Sequence, residues 1–233
     1  MRSNGLIEYA LPSNRVIVIA GHYGSGKTEI ALNMALRLRK ECGDVTLVDL
    51  DIVNPFFRSA EQAALLEEHG VELLKPIYAN TSVDIPSLPP QIQGVFARET
   101  GRVIFDVGGD DAGAAALGGF APQFSVADKL FYMVVNPFRP RSESVEQIVQ
   151  MYHAIARRAR MTPDALICNA NLGDTTRPAD ILEGYAVVRE AAAQLGLPVA
   201  CVCVGEGVDP AALVDMPPLF PIRRYLKPEW MEM

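Results

Sequence analysis

The run Arg15-Val-Ile-Val-Ile-Ala20 is almost continuously apolar, and Gly21-His-Tyr-Gly-Ser-Gly-Lys-Thr28 follows it directly into a helical spacing through Ile30, Met34 and Leu38. An apolar strand, a glycine-rich turn and a helix in that order constrain the chain to begin as a βα unit of a sheet covered on both faces. The turn satisfies G-x-x-x-x-G-K-[ST], the phosphate-loop pattern. Glycine lets successive backbone N–H groups converge on a phosphate without a Cβ clash, at the positive end of a helix. Lys27 would neutralise the β- and γ-phosphates, and the Thr28 hydroxyl would ligate Mg²⁺. The expected nucleotide contacts are Gly21, His22, Tyr23, Gly24, Ser25, Gly26, Lys27, Thr28 and Glu29.

The same alternation continues along the chain. Strand-like runs occupy Val45–Leu50, Val71–Leu74, Arg102–Val107, Lys129–Val135, Ala165–Asn169 and Pro198–Val204. Helical patterns lie between them at Lys27–Glu41, Ser59–His69, Ser142–Arg160 and Pro178–Leu195. This predicts an α/β fold: one three-layer P-loop NTPase domain over residues 1–233, with a mainly parallel sheet and helices on both faces. Its core covers about residues 15–205 and a tail covers 206–233. Asn80–Pro90, rich in proline, is expected to be a surface connection, and Gly108–Gly119 a glycine- and alanine-rich loop. The latter follows a strand directly, where ligands bind in such sheets.

Two strands end in carboxylates. Val45-Thr-Leu-Val-Asp-Leu-Asp51 places Asp49 and Asp51 two residues apart, on one face if the strand persists. One can hold the water shell of a metal while the other positions an attacking water. Val103-Ile-Phe-Asp106 is an apolar run ending in Asp, the Walker B pattern, in which Asp106 would hold Mg²⁺ through water. Gly109 would then offer its N–H to the γ-phosphate.

Composition narrows the functions. With 21 basic and 28 acidic residues the formal charge is −7, which disfavours the counterion displacement that strong nucleic-acid binding needs. No run approaches the roughly 18 apolar residues of a membrane span. Four cysteines make no disulfide scaffold. A cytosolic protein with reduced thiols is expected.

Together the three segments resemble the MinD/ParA class of P-loop ATPases, the group with the nitrogenase iron protein and the CobQ/CobB-type domains. The likeness runs through residues 15–205. It implies that Asp51 orients the hydrolytic water in a first switch and that Asp106-Val-Gly-Gly109 forms a second. Leu166-Ile-Cys-Asn169 looks like the family's base-recognition strand, with Asn169 on adenine. An amide also matches an adenine edge on its own chemistry, and the Asn-Lys-x-Asp guanine signature is absent, so ATP/ADP is favoured as the nucleotide. His22 and Tyr23 stand where the family carries its signature Lys and a Gly. That Lys reaches a partner's phosphates in a nucleotide-sandwiched homodimer, and His22 could do so only when protonated.

The leading expectation is a Mg²⁺-dependent switch ATPase with a homodimeric or other protein partner. The alternatives are a small-molecule kinase or ligase, with Arg139, Arg141 and the 108–119 loop lining an acceptor site, and a nucleotide-sensing module or metal-insertion chaperone. Arg139 and Arg141 equally suit a solvated loop leading to a helix capped by Ser142. Cys201 and Cys203 read as buried strand residues rather than metal ligands. Arg157, Arg158 and Arg160 suit a helix C-terminus. In the tail, Arg223, Arg224, Lys227 and Trp230 suggest packing or a partner contact, since Pro221 and Pro228 leave too little helix for a membrane anchor.

Overall fold

In the computed structural model, residues 7–51, 59–75, 90–109 and 111–226 are described. The first apolar run becomes β1 (Val16–Gly21), and all six of its residues are buried. The chain continues through α1 (Lys27–Cys42), β2 (Val45–Leu50), α2 (Ser59–Glu68), β3 (Glu72–Leu74) and α3 (Pro90–Ala97). Then come β4 (Arg102–Val107), α4 (Asp111–Gly118), α5 (Ala121–Val126), β5 (Lys129–Val135) and α6 (Val145–Ala159). It closes with β6 (Ala165–Cys168), α7 (Pro178–Leu195), β7 (Val199–Gly205) and β8 (Leu219–Ile222).

Among the described residues the strands form one eight-stranded sheet in the order β3-β2-β4-β1-β5-β6-β7-β8, with every pairing parallel. The alternation of each strand divides the core. Ile17, Ile19, Leu47, Ile104 and Val134 meet α1 and α2 on one face. Val18, Val48, Phe105 and Phe131 meet α3, α4 and α5 on the other, where Phe96, Phe105 and Phe124 pack their rings together. Farther along that second face, Met133 and Leu166 meet α6 and α7. Each fully buried aliphatic or aromatic side chain of this kind contributes on the order of 2 kcal/mol.

The topology fixes where a ligand can sit. From β1 the chain moves toward β2 and β3, returns to β4, and crosses β1 to continue at β5. The reversal leaves a crevice beyond the C-terminal ends of β1 and β4, both of which end at the carboxylate- and glycine-rich segments. α1 enters from it and stops at Gly43, whose φ of 88° ends the helix.

Several expectations are corrected. Gly108–Gly119 is not a loop throughout, because Ala112 and the Ala114–Ala116 run favour the helix α4. Ser142 is not the cap of α6: Ser144 is, in a capping box with Gln147. Ser142 instead donates its hydroxyl to the carbonyls of Asn136 (2.7 Å) and Arg139 (2.9 Å), which tightens the loop ahead of the helix. The tail supplies an edge strand, β8, whose Leu219 exchanges backbone hydrogen bonds with Ile7 and Tyr9. Most of Asn80–Pro90, together with Asp110, Lys227 and Trp230, lies outside the described residues. Among those described, no helix is long and apolar enough to cross a membrane.

Candidate functional site

The phosphate loop is shaped by what surrounds it. A Cβ at Gly21 would lie 2.4 Å from the Val134 carbonyl oxygen, and one at Gly26 would lie 2.3 Å from Asn169 Nδ2. Gly26 also takes a left-handed φ of 92° and caps α1 without any side-chain hydrogen bond. The start of α1 faces the loop at the end where the helix dipole is positive. Ser25 is buried, and its Oγ has no hydrogen-bond partner. Lys27, also buried, folds its Nζ back onto the His22 carbonyl at 3.0 Å. His22 packs its Nδ1 against the Tyr23 carbonyl at 3.1 Å, and Tyr23 is exposed.

The carboxylates converge on the same place. Asp49 and Asp106 are register partners on β2 and β4. Strand β2 ends at Leu50, so Asp51 lies past it and does not share the alternation of Asp49. Instead the Asp51 N–H donates to Asp49 Oδ1 at 2.8 Å, a short turn that carries Asp51 to Gly108, where an added Cβ would sit 3.3 Å from Asp51 Oδ1. Gly109 comes closer still to the loop: its Cβ position is 2.6 Å from the Tyr23 nitrogen and 2.8 Å from Lys27 Nζ. Only glycine allows that approach.

Asp106 is almost inaccessible and hydrogen-bonds Thr28, while its Oδ1 has no partner. Burial and the charge of Asp49 push its carboxyl up to about 7, with a further push from Asp51, against the pull of Lys27 and Thr28. Burial likewise raises Asp49, offset in part by the Asp51 N–H. A buried carboxylate oxygen without a donor, next to a hydroxyl and a lysine, is the chemistry of a missing cation. Thr28 and Asp106 thus fit Mg²⁺. Among the described residues no cluster of three or more His, Cys, Asp or Glu could hold a metal unaided. Cys201 and Cys203 are buried in the core facing α1.

On the β5–β7 side of the loop lies a cleft of about 370 Å³, lined in part by Gly24, Gly26, Asn136, Asn169, Asn171 and Arg224. Asn169 reaches it, but its Nδ2 donates to the Ser25 carbonyl at 2.7 Å, bracing the phosphate loop from behind. Asn136, which sequence reasoning did not single out, donates to the Asn171 carbonyl at 3.0 Å and accepts from the Phe138 N–H at 3.1 Å. Asp174 and Arg224 pair at 2.7 Å at the rim. Neither was foreseen as a site residue, because one lies on a short turn and the other on the tail. Glu29 lines the cleft as well, yet its carboxylate accepts from the N–H groups of Tyr225 (2.5 Å) and Leu226 (3.2 Å). The two loop arginines part company: Arg139 packs by Gly24 in this cleft, whereas Arg141 lines another one on the opposite side of the loop.

No protein-family model and no curated protein matches the chain. Solved structures do match its fold. The signal recognition particle 54 kDa protein of Aeropyrum pernix K1, in complex with GDP, aligns with a TM-score of 0.55 at 20% identity, covering 86% of this chain and 42% of that one. FtsY of Thermotoga maritima aligns with 0.55 at 19% identity, over 92% of this chain and 72% of that one. FlhF complexed with GTP/Mg²⁺ aligns with 0.52 at 15% identity, over 82% and 66%. The chain spans less than half the length of the first of these. The likeness establishes a P-loop NTPase fold and does not single out the MinD/ParA class.

Proposed function

We propose that this chain binds Mg²⁺ and ATP and hydrolyses ATP to ADP and phosphate, using the two loops around Asp51 and Gly109 as a nucleotide switch. One observation carries the reading: the unpartnered Oδ1 of buried Asp106, beside Thr28 and Lys27, at the uncapped start of α1. Lys27 leaves the His22 carbonyl to meet the β- and γ-phosphates, and the α1 amides hold the phosphate oxygens. Thr28 and Asp106 hold the cation, which when bound offsets charge on the phosphates. Asp51 orients the water whose oxygen attacks the γ-phosphorus as the bond to the bridging oxygen of ADP breaks. Gly109, against Lys27, is placed to sense whether the γ-phosphate is present.

Asp51→Ala is expected to keep ATP affinity within twofold and to lose about a hundredfold in steady-state turnover. Unchanged turnover would remove Asp51 from the reaction. Adenine is the favoured base, supported by the amide lining of the smaller cleft. Two of the structural neighbours carry GDP or GTP. Parallel calorimetric titrations with ATP and GTP decide the base, and tighter GTP binding would reverse the assignment. A switch of this kind acts on a partner, and a second copy is the first to test, by sizing the protein with ADP and with a non-hydrolysable ATP analogue.

A further inference from the structure

The nucleotide reading accounts for the phosphate loop and the smaller cleft. It leaves a second cleft, of about 800 Å³, on the opposite side of the loop. We propose that this second cleft binds a small organic anion, an oxyanion carried on an apolar body, beside the terminal phosphate.

Its walls argue for that class of ligand. One stripe of α6 lines it over successive turns, from Gln147 through Gln150, Met151, Ala154 and Ile155 to Arg158 in the last turn of the helix. Ala114 of α4 faces it, and Arg141 closes one end. The cleft therefore combines an apolar middle with cationic and amide groups, the composition of a small-molecule site of this volume. A guanidinium at the rim of such a cleft selects carboxylate or phosphate oxygens.

Backbone geometry makes the same point independently. Arg141 adopts a left-handed φ of 67°, a conformation that is costly for a non-glycine residue. The hydroxyl of Ser142, bonded to the Asn136 and Arg139 carbonyls, holds that turn in place. The strained residue is the one whose guanidinium lines the cleft, and its neighbour Ser142 is buried. Gln147 contributes as well: the N–H groups of Glu143 (2.8 Å) and Ser144 (3.3 Å) occupy its Oε1, so its NH₂ remains as a donor.

Position supplies the functional sense. The floor of the cleft is Gly21, His22 and Tyr23 of the phosphate loop with Gly108 and Gly109. Gly109 is also the residue that touches Lys27 Nζ. The loop is thus a partition, with a base cleft on one side and an anion cleft on the other. The proposal extends the nucleotide reading but is tested without nucleotide.

The experiment titrates hexanoate into ¹⁵N-labelled, nucleotide-free protein and follows the side-chain amides of Gln147 and Gln150. Saturable shifts are expected with hexanoate, and at least about tenfold weaker binding with the uncharged hexanol. Arg141→Gln should weaken hexanoate by about tenfold and leave Mg-ATP affinity, measured separately, within twofold. Gln150→Glu, which places a carboxylate in the cleft, should abolish the shifts by repulsion. The absence of saturable shifts, equal binding of hexanol, or an Arg141→Gln protein that binds hexanoate normally would each overturn the proposal. So would a second copy of the chain covering the cleft, seen as shifts that depend on protein concentration and not on hexanoate. Failure to hydrolyse ATP would sink the switch reading and leave the anion result standing.

Discussion

At the scale of single residues, Asp106 carries the most chemistry, and its environment makes a prediction about the empty protein. The unfolded carboxyl ionises near 3.8, while burial and Asp49 hold the folded one protonated up to about 7. Between those values the folded chain holds a proton that the unfolded chain has released. Its contribution to stability is therefore full at low pH, falls as pH rises through that window, and is gone above it. Asp106→Asn removes the titration. Without nucleotide, the variant should be more stable than the parent at pH 8, with the gain shrinking toward pH 4, as urea unfolding at each pH would measure. A gain that is flat with pH would contradict this account. The same variant should lose Mg²⁺-dependent turnover, so stability and function move in opposite directions at one atom.

At the scale of elements, α6 matters because it walls the second cleft and packs against α4, where a Cβ on Gly118 would sit 2.3 Å from the Arg158 carbonyl oxygen. Its start rests on the Ser144 capping box, in which the Ser144 N–H donates to Gln147 Oε1 and the Gln147 N–H donates to Ser144 Oγ, each at 3.3 Å. Ser144→Ala should lower stability by about 1 kcal/mol in chemical denaturation; a neutral result would mean that the helix start is held by packing alone. The sequence pattern suggested Ser142 for this role, since both serines precede the same periodic stretch, and only the backbone path separates them. Strands were far more legible than loops. Continuous apolar runs such as Val16–Gly21 and Lys129–Val135 announce themselves because burial on both faces tolerates nothing else. Strand β8, with an exposed Pro221 at its middle, has no such signature and forms because β7 and the N-terminal segment offer it partners. Within the site, Lys27, Thr28 and Asp106 were legible from local spacing. Asn136, Asp174 and Arg224 were not, since the topology alone brings three distant segments to one cleft.

At the scale of the whole molecule, the site joins both halves of the sheet, so filling it should stabilise everything it touches. Mg-ATP at a hundred times its dissociation constant is expected to add about 2.7 kcal/mol. For a chain of this size that amounts to a rise of about 5–10 °C in Tm. Chelating the divalent cation should remove much of the shift, and a shift indifferent to chelation would argue against the Thr28–Asp106 cation site. One further consequence comes from α1. Within two turns of Lys27, Glu29 and Asn33 grip the backbone of residues 223–226, with Asn33 bonded to Arg223 at both its N–H and its carbonyl (2.8 Å each). The start of α1 is therefore also a mooring for the far end of the polypeptide. A dye fixed beside Leu226 is therefore expected to change its emission when Mg-ATP is added, reporting from outside the cleft on an event at the start of α1.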